Sequence, residues 1–220
     1  MLHYHTFVKI SRLEFQTFSV YLVFRRYDCM NMITESFSEV VIDLLTLKLA
    51  EKSDFDRIIV FFKYVIDNTE TMPAHCRWVF GLHPTSEKIK RYVDEGTMYL
   101  HEEDGEIISA VAMLPYQEED YHGTVWAEDL PDNEVAALHL LCVNPKYQRR
   151  GIAGETLAAV YEIAKAMGKK SVRLDTLGSN ISAQMMYEKL GYTKVDVKKW
   201  WYLPNNYLTD FVLYEKIICN

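Results

Sequence analysis

The segment from residue 135 to residue 177 constrains the fold more than any other part of this 220-residue chain. It begins with an almost continuous apolar run, VAALHLLCV, which is typical of an interior strand, and Pro145 ends that run. A helix is predicted from about Gly151 to Met167, because its apolar residues share one face. The run KSVRLDTL then alternates as a second strand. Two strands joined by one helix should lie parallel, with a right-handed crossover.

The turn between the first strand and the helix, Tyr147 to Glu155, has the sequence YQRRGIAGE. A helix start exposes unpaired N–H groups and partial positive charge, and glycine lets an anion approach that backbone. Arg149 and Arg150 add charge at the rim. The turn is therefore typical of a phosphate site, although neither GxGxxG nor the P-loop pattern is present. The alternative is that Gly151 and Gly154 serve only a tight turn and close helix packing.

The residues around this turn resemble the GNAT superfamily of N-acetyltransferases. The Q/R-x-x-G-x-G/A signature of that family is matched by Gln148, Gly151 and Ala153. Its N-x-x-A-x-x-x-Y-x-x-x-G-[FY] helix is matched by Asn180, Ala183, Tyr187, Gly191 and Tyr192. The hairpin MYLHEEDGEIISAVAM is similar to the second and third strands of the family. The resemblance covers roughly residues 45–217 and is strongest over 138–192.

The resemblance implies an α/β (α+β) fold with a mixed, mostly antiparallel central sheet, one parallel strand pair at the cofactor site, and flanking helices. We expect residues 35–220 to form this GNAT-like acetyltransferase domain, and residues 1–34 to be an N-terminal extension of unclear role. The extension shows no helical or strand period. It could be a packed appendage, a loosely held or interfacial one, or a stretch read from an early start codon. We favour an appendage outside the main fold.

Patterns between these regions predict further elements. A strand is predicted within residues 40–49, and helices are predicted to begin near Asp54 and at Ser86. Two β-type runs around Asp104-Gly105 predict a hairpin. Residues 115–134 contain seven acidic side chains and predict a long connection, and the C-terminal tail predicts two more strands.

Charge and cysteine spacing argue against several classes of protein. The net charge of −7 does not suit a nucleic-acid partner, and no apolar run is long enough to span a membrane. The run from Phe15 to Phe24 lacks the preceding charge and the small-residue cleavage site of a secretory signal. The four cysteines form no CxxC pair, so we expect no metal site, no disulfide framework and a cytoplasmic location.

The resemblance implies acetyl-CoA as the acyl donor, and direct transfer of its acetyl group to a primary amine of a small molecule or peptide in a ternary complex. The pyrophosphate is expected on backbone amides at residues 149–154, and the pantetheine arm beside residues 141–143. The expected cofactor-binding residues are Leu141, Cys142, Val143, Gln148, Arg149, Arg150, Gly151, Ile152, Ala153, Gly154 and Asn180.

Tyr187 matches the usual general acid of the family, which protonates the leaving thiolate; the alternative is a core tyrosine with a satisfied hydroxyl. Asn180 could contact the cofactor, cap its helix, or do both. Cys142 is better interpreted as a small buried thiol than as a nucleophile. The general base stays open among Glu134, His139, Glu128, Asp129 and a water relay.

The acceptor is expected opposite the cofactor, with Trp78 on one lip of the cleft. Tyr121, Trp126 and residues 200–202 are expected on the other side. Aromatic walls and carboxylates would favour a cationic amine, and the alternative is that these aromatic residues are only packing. Two other functions stay open: a non-catalytic acyl-CoA-binding sensor or scaffold, and a nucleotide-binding domain of unrelated fold. A homodimer is also left open.

Overall fold

From residue 47 onward the strands and helices follow in the order that the sequence predicts, whereas residues 5–13 and 17–25 form strands that the sequence pattern does not predict. The computed structural model describes residues 5–13, 17–25, 40–43 and 47–219. Its strands are β1 (His5–Leu13), β2 (Thr17–Arg25), β3 (Val40–Asp43), β4 (Leu47–Leu49), β5 (Met98–Glu103), β6 (Glu106–Leu114), β7 (Val135–Val143), β8 (Ser171–Leu177), β9 (Thr193–Tyr202) and β10 (Tyr207–Ile217). Its helices are α1 (Phe55–Asn68), α2 (Ser86–Asp94), α3 (Ile152–Ala166) and α4 (Ile181–Lys189).

One sheet joins these strands in the order β1-β2-β4-β5-β6-β7-β8-β10-β9, and β3 pairs with β2. Every described pair is antiparallel except β7 with β8, which is parallel. The predicted mixed, mostly antiparallel sheet with one parallel pair is therefore confirmed. β2 meets β4 through two residue pairs, Thr17 with Lys48 and Phe18 with Leu47. The predicted boundary between residues 34 and 35 lies outside the described residues and stays a prediction.

The hairpin predicted at Asp104-Gly105 connects β5 to β6. Both turn residues have positive φ, 48° for Asp104 and 79° for Gly105. A two-residue turn of this kind needs the left-handed region at both positions, and an Asp-Gly pair supplies it at little cost. The hairpin places β6 directly beside β7, at the centre of the sheet.

Helices cover both faces of the sheet and create two apolar cores. On one face, α1 and α2 bury side chains at helical spacing, among them Ile58, Phe62 and Ile89. On the other face, α3 and α4 cover a second core that includes Leu157 and Tyr187. β7 contributes to both cores because its successive side chains point to opposite faces. A continuous apolar strand is the sequence that such double burial requires.

The predicted helix starts are confirmed. A short 3-10 turn at Lys52–Asp54 precedes α1, and the Asp54 carboxylate accepts a hydrogen bond from the Glu51 N–H at 2.9 Å. The Thr85 hydroxyl caps α2 by accepting the Lys88 N–H at 3.1 Å. Among the described residues, no helix combines the length and apolarity needed to cross a bilayer, and no group of three metal-ligating side chains comes together.

Candidate functional site

The parallel strands β7 and β8 separate halfway along their length. Their pairing runs from Val135 opposite Ser171 to Leu138 opposite Leu174, and it stops there. The later residues of β7 still pair with β6, so only their β8 side is left open. A gap between two strands leaves backbone N–H and C=O groups that need partners.

A β-bulge in β7 lies at the start of this gap. Cys142 faces Ala110 and His139 faces Ala112, so β7 contains one residue more than β6 across this interval. Leu140 has φ 53°, which is unusual for a residue with a branched side chain. The bulge directs both His139 and Leu140 towards the face covered by α1 and α2, because a bulge breaks the strict alternation of a strand.

The gap opens into a cleft of about 550 Å³, and side chains from both faces of the sheet line this cleft. Its walls include residues 138–141 of β7 and residues 174–177 of β8. Tyr187 lines it from α4, and Asn180 lines it from the residue that precedes this helix. Further polar or aromatic side chains on its walls are Cys76, Trp78, His83, Lys88, Glu118, Asp120, Tyr121, Trp200, Trp201, Tyr202 and Phe211.

The turn before α3 presents backbone amides that lack acceptors. None of the N–H groups of residues 149–154 has a hydrogen-bond acceptor among the described residues. The first amide to find one is that of Glu155, which donates to the Gly151 carbonyl at 3.1 Å. Arg149 (φ 63°) and Gly151 (φ 89°) adopt the left-handed conformation, which curves the backbone. Consecutive free amides at a helix start form an anion-binding site.

Side chains around the turn hold it in place. The Gln148 side-chain amide donates to the Val143 carbonyl at 3.1 Å and to the Thr69 hydroxyl at 3.2 Å. The Arg150 guanidinium lies 5.2 Å from the centroid of the Tyr147 ring. Gln148 therefore ties the end of β7 to the segment after α1, and residues 149–154 project from that support.

The residues predicted for the cofactor fall into two groups. Leu141 and Asn180 line the cleft, and residues 148–154 form the turn that leads into α3, whose Leu157 also lines the cleft. Cys142 and Val143 are buried in β7, and burial raises the pKa of the Cys142 thiol. A thiol held in its neutral form is a poor nucleophile, in keeping with the interpretation of Cys142 as a packing residue.

Tyr187 belongs to both the core and the cleft. Its ring lies against the rings of Tyr192 and Tyr214, with centroids 6.0 and 5.5 Å away. No described residue forms a hydrogen bond with its hydroxyl, which lies where the cleft passes α4. Burial raises the pKa of Tyr187 well above its ordinary value, so the hydroxyl keeps its proton at neutral pH. A hydroxyl that keeps its proton can serve as a proton donor.

Asn180 caps α4, because its side-chain oxygen accepts the Ala183 N–H at 3.3 Å. Its side-chain amide donates to the Thr176 hydroxyl at 3.2 Å and to the Cys76 sulfur at 3.4 Å. Asn180 therefore connects β8, α4 and the loop before α2 at one wall of the cleft.

Of the four side chains predicted as general bases, only His139 lies in the cleft. Glu128, Asp129 and Glu134 are not among the residues that line it. Burial, with the nearby Lys88 and Arg91, lowers the pKa of His139 to about 3. His139 Nε2 lies 3.3 Å from a Glu118 oxygen without forming an aligned hydrogen bond. The imidazole is thus neutral and weakly basic at physiological pH.

The cleft contains a carboxylate that the sequence does not single out, Asp175 of β8. It accepts a hydrogen bond from the Tyr121 hydroxyl at 2.7 Å. Burial raises the pKa of Asp175 to about 6, although the hydrogen bond from Tyr121 and the charge of Lys88 act in the opposite direction. The alternation in KSVRLDTL indicates only that Asp175 lies on the polar face of its strand. Its burial depends on contacts with residues 115–134, such as that with Tyr121, which are distant in the chain.

Aromatic rings from three segments enclose the side of the cleft nearest Asp175. The Tyr121 ring stacks on Trp200 with centroids 6.1 Å apart, and Trp126 packs behind Tyr121 at 5.5 Å. The Tyr202 hydroxyl donates to the Cys76 carbonyl at 2.8 Å, which ties β9 to the loop that carries Trp78. The predicted aromatic residues therefore line the cleft, apart from Trp126, which supports it from behind.

A buried ion pair fixes the acidic connection, residues 115–134, to the sheet. Arg173 Nε of β8 donates to a Glu215 oxygen of β10 at 2.8 Å. The Arg173 guanidinium also donates to the Glu128 carbonyl at 2.9 Å and lies 4.2 Å from the Trp126 ring centroid. The second Glu215 oxygen accepts the Ala127 N–H at 2.8 Å. These contacts hold the connection that carries Tyr121 and Trp126 over the cleft.

Comparison with known proteins places this cleft within a common architecture. The model of a family described as "Acetyltransferase (GNAT) family" matches residues 54–192. An uncharacterized N-acetyltransferase of Methanocaldococcus jannaschii is 24% identical over 183 residues, which cover 80% of this chain and 71% of that protein.

Two solved structures share the fold. A GNAT-family acetyltransferase from Streptococcus agalactiae superposes with a TM-score of 0.62 at 19% identity, covering 79% of this chain and 95% of that one. An acetyltransferase from Salmonella typhimurium, solved with its cofactor acetyl-CoA, superposes with a TM-score of 0.57 at 13% identity, covering 79% and 94%.

Proposed function

Because the chain belongs to the acetyltransferase (GNAT) family of acetyl-CoA-dependent acyltransferases, we propose that it transfers an acetyl group directly to a primary amine. The amine belongs to a small molecule or a peptide, and both substrates are bound together. The observation that carries this proposal is the combination of two features: unpaired amides at residues 149–154, and a cleft between β7 and β8 that is lined by Leu141 before this turn and by Leu157 after it.

The chain offers a matching partner for each part of acetyl-CoA, which supplies the activated acetyl thioester. The amides of residues 149–154 suit its diphosphate, and Arg149 and Arg150 add positive charge at the rim. Residues 141–143 of β7 pair with no residue of β8, so their backbone groups on that side suit the amides of the pantetheine arm, apart from the Val143 carbonyl, which accepts the Gln148 side chain. Asn180 faces the cleft from the opposite wall.

Tyr187 is the proposed general acid. Its hydroxyl is protonated, faces the cleft, and has no competing acceptor among the described residues. As the amine nitrogen bonds to the acetyl carbon and the carbon–sulfur bond breaks, Tyr187 donates its proton to the departing sulfur. The Tyr192 ring, which is tilted against Tyr187, and the Tyr214 ring, which meets it edge-on, keep the Tyr187 side chain in place.

Asp175 is the proposed general base. An acceptor ammonium must lose a proton before its nitrogen can attack, and the Asp175 carboxylate lies in the cleft with a pKa of about 6. At neutral pH it is ionised yet more basic than an ordinary aspartate, which suits proton abstraction. The hydrogen bond from Tyr121 fixes its orientation.

The test is a measurement of CoA release from acetyl-CoA over a panel of polyamines, aminoglycosides, amino acids and N-terminal peptides. We expect amine-dependent release, with the acetylated amine identified by mass spectrometry. Tight acetyl-CoA binding without turnover of any amine would instead support the non-catalytic sensor. Stabilisation by ATP or NAD rather than by acetyl-CoA in a thermal shift assay would contradict donor binding. A cytoplasmic location and a homodimer stay predictions.

A further inference from the structure

The side chain of Lys88 introduces a positive charge into the cleft that acetyl transfer does not require. Lys88 lies on α2 and lines the cleft, with its ammonium 5.9 Å from the Tyr92 ring centroid. No carboxylate of the described residues lies within ion-pair distance of it. The neighbouring cation, Arg91, is already bound to Glu118 at 2.8 Å.

Lys88 is also the only strongly basic side chain on the described cleft walls. The other basic residues there are His83 and His139. Burial lowers the pKa of His83 to about 4 and that of His139 to about 3, and Lys88 contributes to both shifts. Both imidazoles are therefore neutral at physiological pH, and an anionic ligand group in the cleft would have Lys88 as its counter-ion.

Side chains of both charges line the acceptor side of the cleft, where Glu118 and Asp120 accompany Asp175 and Lys88. Asp175 approaches from β8 and Lys88 from α2, and the positive charge of Lys88 is close enough to lower the pKa of Asp175. Two such groups in one pocket complement a ligand that carries both an amine and an acid. Trp78, Trp200 and Tyr202 surround them with aromatic surface, which suits an apolar body.

We propose that Lys88 binds a carboxylate of the acceptor, and that the acceptor is a free amino acid with an apolar side chain. Its amine lies towards Asp175, its carboxylate towards α2, and its side chain against the aromatic walls. The assignment rests on the proposed acetyl transfer and specifies the substrate of the same site. It also gives a role to Lys88, which lies beside a tyrosine ring without an ion-pair partner among the described residues, whereas the neighbouring Arg91 is paired with Glu118.

Three matched acceptors isolate the carboxylate: L-phenylalanine, L-phenylalaninamide and phenethylamine. They share the aromatic ring and the amine, and only the first carries an acid. The amine of the amide is the weaker base and is more often neutral, so without a role for Lys88 the amide would react best. We expect kcat/KM for phenylalanine to exceed that for both neutral compounds by about tenfold or more, the usual value of one charge-assisted contact.

Variants of Lys88 test whether this preference comes from that side chain. Lys88→Met should lower the ratio of kcat/KM for phenylalanine to kcat/KM for phenethylamine by about tenfold or more, because only the acid loses its partner, whereas any change in the basicity of Asp175 affects both acceptors. Lys88→Arg should keep most of the preference, and Lys88→Glu should reverse it. The matched control is Lys90→Met, since Lys90 lies on the same helix but pairs with Asp94 away from the cleft.

The result that would overturn the assignment is equal acetylation of phenylalanine and phenethylamine, or an equal loss for both in Lys88→Met. Circular dichroism and acetyl-CoA affinity establish that each variant is folded. If no amino acid is acetylated but another amine is, the amino-acid assignment fails and the proposed acetyl transfer stands. If no amine of any class is acetylated, both fail.

Discussion

The two sides of the cleft are built in different ways. The donor side consists of backbone: the turn at residues 149–154 and the open edge of β7, which are nearly continuous in the chain. The acceptor side consists of side chains from α2, the connection at residues 115–134, β8 and β9. A backbone site can be recognised in a short motif, whereas a side-chain site depends on contacts between distant segments. We therefore expect substitutions on the two sides to separate donor binding from acceptor chemistry.

The largest effect is expected for Tyr187→Phe, at the junction of the two sides. Removal of a general acid should lower kcat by about 100-fold to 10,000-fold, while the Kd for acetyl-CoA stays unchanged. Steady-state kinetics and calorimetry measure the two quantities. The control is Tyr192→Phe, whose ring packs against Tyr187 and whose buried hydroxyl has no partner. A loss of turnover as large in the control would contradict a chemical role for Tyr187.

A smaller effect is expected from the buried ion pair that supports the acceptor side. Arg173→Met should lower the free energy of unfolding by about 3–5 kcal/mol, because Glu215 is left buried without its partner. The KM for the acceptor should rise while acetyl-CoA affinity holds. Urea denaturation measures the free energy of unfolding. The control is Lys199→Met, which breaks the exposed ion pair with Asp210 and should lower that free energy by about 1 kcal/mol or less. Similar losses in both variants would argue against a supporting role.

Asp175→Asn should lower kcat/KM for the acceptor by about 10-fold to 100-fold at neutral pH, since the amide cannot take a proton. In the parent protein, kcat/KM should rise with pH through about 6, because protonated Asp175 is inactive as a base below that pH. The inflection should disappear in the variant. Asp129→Asn should keep it, because Asp129 lies outside the cleft. An unchanged inflection in Asp175→Asn would assign it to another group.

The smallest effect is expected at the donor turn. Gly151→Ala should weaken acetyl-CoA binding by about tenfold, because φ 89° costs alanine about 1–2 kcal/mol and the turn will relax away from its curved form. The matched control is Gly168→Ala, which also places an alanine at a positive φ, 75°, but at the end of α3 and far from the turn. Both variants should lose a similar free energy of unfolding, and only Gly151→Ala should lose affinity for acetyl-CoA. Equal affinities would show that the curvature of the turn is unimportant.

Local patterns predict the donor side well. The strand, turn, helix and second strand from Val135 to Leu177 follow from apolar periodicity, and the parallel pairing follows from the length of the crossover. The free amides follow from the rule that a helix start has no internal partners. The positive φ of Leu140 is not visible in the sequence, because no glycine marks the bulge.

The acceptor side could not be predicted to the same extent. Asp175 and Lys88 look like ordinary surface charges, and they meet on the walls of one cleft only when the connection at residues 115–134 and α2 pack against the sheet. The sequence therefore offers Glu134, His139, Glu128, Asp129 or a water relay as the general base, and does not point to Asp175 on the neighbouring strand. Strands β1 and β2 show a related limit: their segments pair along nine residues although no strand period marks them.

The most direct test of the account is backbone amide hydrogen exchange with and without acetyl-CoA. Residues 149–154 have no internal acceptors, so they should exchange rapidly in the free protein and become strongly protected when the diphosphate accepts their hydrogen bonds. Protection should extend to residues 141–143 along the open edge of β7. Saturating acetyl-CoA that leaves exchange at 149–154 unchanged, while protecting amides elsewhere, would contradict the assignment of this turn as the donor site.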